Sequence, residues 1–157
     1  VSPVFSEAAR ARFERMLARY PDRQAAILPT LHLAQREFGS LSDEEISYIA
    51  ALLGFTPAQI EGVATFYTMY NRKPVGKYHL QVCRNLSCSL MGAEHLIEHV
   101  SRKLGVAPGG TTADGRFTLS TVECLGSCGT APVMQINDDY HENLTEEAVD
   151  AILDGLR

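Results

Sequence analysis

"YHLQVCRNLSC", from Tyr78 to Cys88, changes character halfway along its length. The first six residues alternate with the period of two that marks a half-buried strand. The next five turn the chain and deliver a second cysteine, so that Cys83 and Cys88 stand at C-x4-C spacing. Farther on, "FTLSTVECLGSC", from Phe117 to Cys128, repeats the plan: an alternating segment, then Cys124 and Cys128 at C-x3-C. Each cysteine pair follows directly on an expected strand. If the two strands are parallel neighbours, both loops leave the same end of the sheet. Four thiols then meet without any side chain crossing the core.

The surrounding segments complete a small domain. "MGAEHLIEHVSRKLGV" reads as a helix and "APGGTTADG" as a loop. "VMQIN" and "YHENL" flank Asp138-Asp139 as a hairpin. Thr145 caps a last helix that turns Val149, Ile152, Leu153 and Leu156 inward. The order is strand, helix, strand, long loop, hairpin, helix, an α+β (α/β) unit of about eighty residues, an ordinary domain size.

Ahead of it the pattern is helical. Phe13, Met16, Leu17 and Tyr20 form one apolar stripe, and Ile27, Leu31, Ala34 and Phe38 a second that stops at Gly39. Pro29 requires that helix either to begin late, with Pro29 in its first turn, or to kink. Ser42 and Glu45 make a capping box for Ile46, Ile49, Ala50 and Leu53, with Gly54 as the stop. Thr56, Pro57 and Gln59 open a fourth helix carrying Ile60, Val63, Ala64 and Tyr67. The expected organisation is a small N-terminal helical bundle over residues 1–74, followed by a βαβ(loop)ββα domain over residues 75–157.

Composition narrows the partners. With 45% hydrophobic and 21% charged residues, the chain falls among ordinary globular proteins. A formal net charge of -5 offers no basic stripe for nucleic acid or anionic membrane. The longest apolar run, "YIAALLGF", is too short to span a bilayer, so no direct membrane insertion is expected. Glu7 and Glu14 lie among Arg10, Arg12 and Arg15, unlike an acid-poor transit segment. No secretory signal is expected. A reducing cytoplasmic setting follows, in which four cysteines favour metal ligation over disulfides.

Three chemistries remain open for the thiols. Structural zinc takes four thiolates, but its ligand pairs are typically C-x2-C, and neither pair here is. Disulfides need an oxidising compartment. A [2Fe–2S] cluster also takes four thiolates, spans a wider ligand set and commonly uses longer spacings. Spacing alone ranks iron–sulfur first, zinc second, and disulfides or plain buried thiols last. The plant-type ferredoxin order does not match, so a different fold is required. Gly126 and Gly129 allow the second loop to turn tightly, leaving its amides free to donate to sulfur.

"LQVCRNLSCSLMGAEHL" together with "VECLGSCGTAPVMQIND" resembles the thioredoxin-like [2Fe–2S] ferredoxin family. Within it, the resemblance is to the small iron–sulfur subunits of the NADH dehydrogenase module of respiratory complex I. "AAILPTLHLAQREFG" and "IEGVATFYTMYN" resemble the helical region of those subunits, extending the likeness from about Ala25 to Asp139. The resemblance implies that Cys83, Cys88, Cys124 and Cys128 are the cluster ligands, serving as both metal and cofactor-binding residues. It implies a thioredoxin-like domain in which the cluster loop replaces the second helix and Pro132 precedes the hairpin. It also implies a larger partner flavoprotein that binds FMN and NADH and carries its own iron–sulfur cluster, docked through the N-terminal bundle. The chain's cluster would lie beside that flavin and take up single electrons, with no catalytic site of its own. Its location would be peripheral, on the cytoplasmic side of the membrane. Homologous subunits serve NAD-dependent formate dehydrogenases and hydrogenases, and a zinc-stabilised interaction module is the alternative of a different class.

Other motifs carry less. The chain has no G-x-G-x-x-G or Walker loop. "HLIEH", His95 to His99, matches an inverted zinc-protease pattern but is read as one solvated face of a helix. His32, His79 and His141 do not cluster in sequence and are read as surface or strand-face residues. Phe66, Tyr67, Met69 and Tyr70 are read first as bundle core and second as a docking patch.

Overall fold

The computed structural model describes residues 3–156. The chain divides into two compact units, Val1–Pro74 and Val75–Arg157. The first unit holds four helices: α1 (Glu7–Leu17), α2 (Ile27–Phe38), α3 (Asp43–Leu53) and α4 (Pro57–Phe66). Local chemistry sets their ends. The Ser42/Glu45 and Thr56/Gln59 capping boxes both form, each returning a side chain to the cap backbone amide. Gly39 and Gly54 close α2 and α3 at positive φ, 84° and 78°, a conformation glycine adopts without a Cβ clash. Pro29 falls in the first turn of α2, where its missing N–H has no helical partner to lose.

The buried stripes are those of the helical periodicity, with two displacements: Tyr67, expected on the α4 stripe, is the exposed cap residue beyond Phe66, and Tyr20 is displaced likewise. Phe13, Ile27, Leu31, Ala34, Ile46, Ile49, Ala50, Leu53, Ile60 and Ala64 share one core. Tyr20, expected on the α1 stripe, lies beyond the helix and is exposed, because α1 ends at Leu17. No single helix among the described residues is long and apolar enough to cross a membrane.

The second unit is a four-stranded mixed sheet ordered β2-β1-β3-β4, with β1 Tyr78–Cys83, β2 Phe117–Val122, β3 Met134–Ile136 and β4 Asp139–His141. β1 and β2 are parallel, from Tyr78 opposite Phe117 to Cys83 opposite Val122, while β3 runs antiparallel to both of its neighbours. A parallel pair needs a crossover, supplied here by two helices, α5 (Leu86–Leu90) and α6 (Ala93–Leu104). The last helix is α7 (Glu146–Gly155), capped by the Thr145 hydroxyl. Leu80, Val82, Leu119, Met134 and Ile136 from the strands meet Leu96 and Val100 of α6 and Val149 and Leu153 of α7. Fully burying each such side chain stabilises the fold by about 1.5–3 kcal/mol.

Two details depart from the sequence reading. The hairpin turns at Asn137-Asp138, with Asn137 at φ 53°, and Asp139 is already in β4. The "RNLSC" stretch is not plain loop. Asn85 caps the short α5 by accepting from the Leu86 amide, and Cys88 sits inside that helix.

Candidate metal centre

Cys83 is the last residue of β1 and Cys124 follows β2 by two residues. Because the strands are parallel neighbours, both cysteine loops leave the same end of the sheet. The four thiols fall into two pairs. Cys83 and Cys88 are nearly closed to solvent, 3% and 2% exposed, and pack with Ala93, Ala131 and Val133. Cys124 and Cys128 are exposed, their sulfurs 3.5 Å apart. Leu125, between the second pair, packs onto the cluster that contains the first. The Ser87 hydroxyl, one residue before Cys88, bonds the Cys128 thiol, so the two loops touch.

The sulfurs are supplied with hydrogen bonds. Gly126, at φ 81°, turns its amide onto Cys124 Sγ at 3.3 Å. A side chain is strained at that φ, so this donor depends on glycine. Val133 gives a backbone hydrogen bond to the Cys88 thiol, directly after the cis Ala131-Pro132 bond. Burial, then the hydrogen bond with Cys83, pushes the Cys88 thiol up to about 11. Cys124 beside it pushes the Cys128 thiol upward as well. Burial is the larger cause for Cys88 and the neighbouring Cys124 for Cys128, and a bound cation would favour the thiolate at both.

A salt link ties the loops together outside the sulfurs. Arg84 donates to Glu123 Oε1 at 3.4 Å and Asn85 to Glu123 Oε2 at 3.3 Å. Arg84 and Asn85 follow Cys83, and Glu123 precedes Cys124. This contact is not legible in spacing, since it depends on the strand register.

All four cysteines are free thiols rather than disulfides. A mononuclear zinc site needs four donors around one ion. Two dithiol pairs, one on each loop, fit a binuclear centre instead. The donor set therefore fits a [2Fe–2S] cluster. Between β2 and β3 the chain makes only a single 3₁₀ turn, Cys128–Thr130, where the resemblance places the cluster loop.

His99 sits between α6 and α7, with Nε2 2.8 Å from Asp150 and Nδ1 3.2 Å from Glu146, while His95 is exposed, so "HLIEH" assembles no metal site. His79 pairs with Ser120 at 2.8 Å on the sheet. Of the aromatic run, only Tyr70 is core, donating its hydroxyl to the Leu28 carbonyl at 2.9 Å. Phe66, Tyr67 and Met69 are exposed, Phe66 by 76%, which corrects the bundle-core reading of that run.

A parallel strand pair with a dithiol following each strand at the same end of the sheet, closed by a hairpin and a helix, defines an iron–sulfur carrier of thioredoxin-like fold. The chain belongs to the thioredoxin-like [2Fe–2S] ferredoxin family, whose model matches residues 13–157. It is 49% identical over 148 residues to an NADH-quinone oxidoreductase subunit of Rhizobium meliloti (strain 1021), covering 94% of this chain and 88% of the relative. It is 50% identical over 147 residues to NADH-quinone oxidoreductase subunit 2 of Thermus thermophilus, covering 92% and 81%. In fold it is similar to a chain in the crystal structure of an NAD+-reducing [NiFe]-hydrogenase in the H2-reduced state. That match has a TM-score of 0.73 at 23% identity, over 83% of this chain and 22% of the other.

Proposed function

We propose that this chain is the electron-transfer subunit of an NADH:quinone oxidoreductase, holding one [2Fe–2S] cluster on Cys83, Cys88, Cys124 and Cys128. The observation that carries the reading is the delivery of two thiol pairs to one end of a parallel strand pair, with amides turned onto sulfur. The identity of about half of its residues to subunits of that enzyme supports the choice of parent complex. When bound, such a cluster supplies one-electron transfer and no bond-making chemistry.

The chain's own residues would do the rest. The amides of Gly126 and Val133 and the Ser87 hydroxyl donate to sulfur and offset the negative charge of the thiolates. Cys83 and Cys88 present their half of the donor set to the interior, and Cys124 and Cys128 present theirs to the surface. Flavin and nucleotide would be held by a larger FMN- and NADH-binding partner, since this sequence contains no dinucleotide fingerprint. Residues 75–157 would carry the cluster and residues 1–74 would dock the partner. The exposed Phe66, Tyr67 and Met69 support that second role, because aromatic residues and Met are enriched at interfaces. The assembly would be peripheral, on the cytoplasmic side of the membrane.

The test is spectroscopic. Purified chain should be brown, contain iron and acid-labile sulfide in equal amounts, bleach on dithionite, and give a [2Fe–2S] paramagnetic signal when reduced. Colourless protein with one bound zinc would overturn the reading. Co-purification from native cells should bring the flavoprotein together with membrane subunits. Recovery of a hydrogen-activating or molybdenum subunit instead would reassign the parent complex.

A further inference from the structure

We infer that Tyr140 and Glu142, from β4 and the residue just after it, are positioning residues that hold the Cys124–Cys128 loop and set the potential of the group bound there. The loop has little support of its own. Cys124, Gly126, Cys128 and Gly129 are exposed, and Leu125 is the residue that packs inward. The hairpin supplies what is missing. The Tyr140 hydroxyl donates to the Leu125 carbonyl at 2.9 Å. Glu142 Oε1 accepts from the Thr130 hydroxyl at 2.7 Å and also from the Ser127 hydroxyl. Those two hydroxyls lie 2.8 Å from each other, and the Asn143 amide donates to the Thr130 carbonyl at 2.7 Å.

Ser127 and Thr130 bracket Cys128, so one carboxylate oxygen fixes both ends of the turn that presents this thiol. Hydrogen bonds from Ser127 and Thr130 hold the Glu142 carboxyl below the usual carboxylate range, and like an ordinary glutamate it is ionised at neutral pH. A fixed negative charge at that place opposes added negative charge on the thiolate side and lowers the potential. Neither residue belongs to the cysteine motifs; the three-residue strand β4 brings them there.

The inference rests on the proposed function for its redox half, and its two halves are read separately. In metal-free protein, Tyr140→Phe and Glu142→Ala should speed hydrogen exchange of the hydrogen-bonded Gly126 and Thr130 amides about fivefold, the scale of one lost hydrogen bond. The Leu80 and Leu119 amides of the sheet serve as internal controls and should not change. In protein reconstituted with iron and sulfide, Glu142→Gln keeps an acceptor oxygen and removes the charge. It should retain its cluster content and shift the midpoint potential to a more positive value. Unchanged exchange in both loop variants, or an unchanged potential in Glu142→Gln, overturns the corresponding half. If Glu142→Ala fails to fold, Tyr140→Phe carries the exchange test alone. A wild-type chain that stays colourless after reconstitution overturns the proposed function, while the exchange result still decides the positioning role.

Discussion

Cys83 stands directly opposite Val122 across the parallel β1–β2 pair, which puts it two residues from the level of Cys124. A one-residue slip of that register would turn every side chain of one strand to the other face. Leu80 and Leu119, also directly opposite each other and both fully buried, prevent it. The same apolar contacts that make the core also align the thiols.

The burial contrast between the two thiol pairs predicts two kinds of serine variant. Replacing any one of the four cysteines should abolish or sharply reduce cluster absorbance. Cys83→Ser and Cys88→Ser should also lower the stability of the metal-free protein by about 1–3 kcal/mol, because a hydroxyl enters an apolar pocket. Cys124→Ser and Cys128→Ser, being exposed, should stay within about 0.5 kcal/mol. Urea unfolding of the metal-free variants, with visible spectra of the reconstituted ones, checks both statements. Equal destabilisation across all four would contradict the contrast.

Phe66 offers a surface test. Phe66→Asp should leave the thermal midpoint nearly unchanged, since the side chain is largely in solvent. It should weaken capture of the flavoprotein in a tagged pull-down by tenfold or more, about 1.4 kcal/mol. Full recovery of the partner would remove this face from the docking surface.

His79 predicts a pH slope. Burial lowers its pKa from the ordinary 6.5, so the folded unit holds the imidazole neutral while the unfolded chain binds the proton more readily. Its contribution is therefore complete above about 6.5 and falls as pH drops from there toward the folded value. His79→Gln should flatten the fall in urea midpoint over that window. A variant with the wild-type slope would assign the effect to other groups.

Stability within the bundle separates packing from capping. Leu31→Ala empties a fully buried site in α2 and should cost about 2–5 kcal/mol. Thr56→Ala removes one hydroxyl from the α4 capping box and should cost about 1 kcal/mol. Denaturant midpoints at constant slope give both values, and a reversed order would contradict the packing described for α2.

Helix ends were the most legible part of this chain, because Ser42, Glu45, Thr56, Gln59, Gly39 and Gly54 act within a few residues of themselves. Strand positions were legible for the same reason: alternation in "YHLQVC" is local, and each cysteine loop follows its strand directly. What escaped were properties set at a distance or by fine balance. The short α5 hides inside the spacing of Cys83 and Cys88, as five residues carry almost no periodicity. Tyr20 continues the α1 stripe arithmetically, yet the helix stops before it. The exposure of Phe66 and the ties from Tyr140 and Glu142 to the second cysteine loop depend on tertiary packing alone.

The helical crossover between β1 and β2 also orders events in time. Cys83 and Cys124 are far apart along the chain, and closing so long a loop costs entropy that local helix formation does not. Until β2 docks beside β1, a nascent chain presents two separate dithiols, each competent to bind a stray ion but not to complete a four-thiolate set. Insertion of a group on all four thiols would therefore report that the long-range β1–β2 pairing has formed.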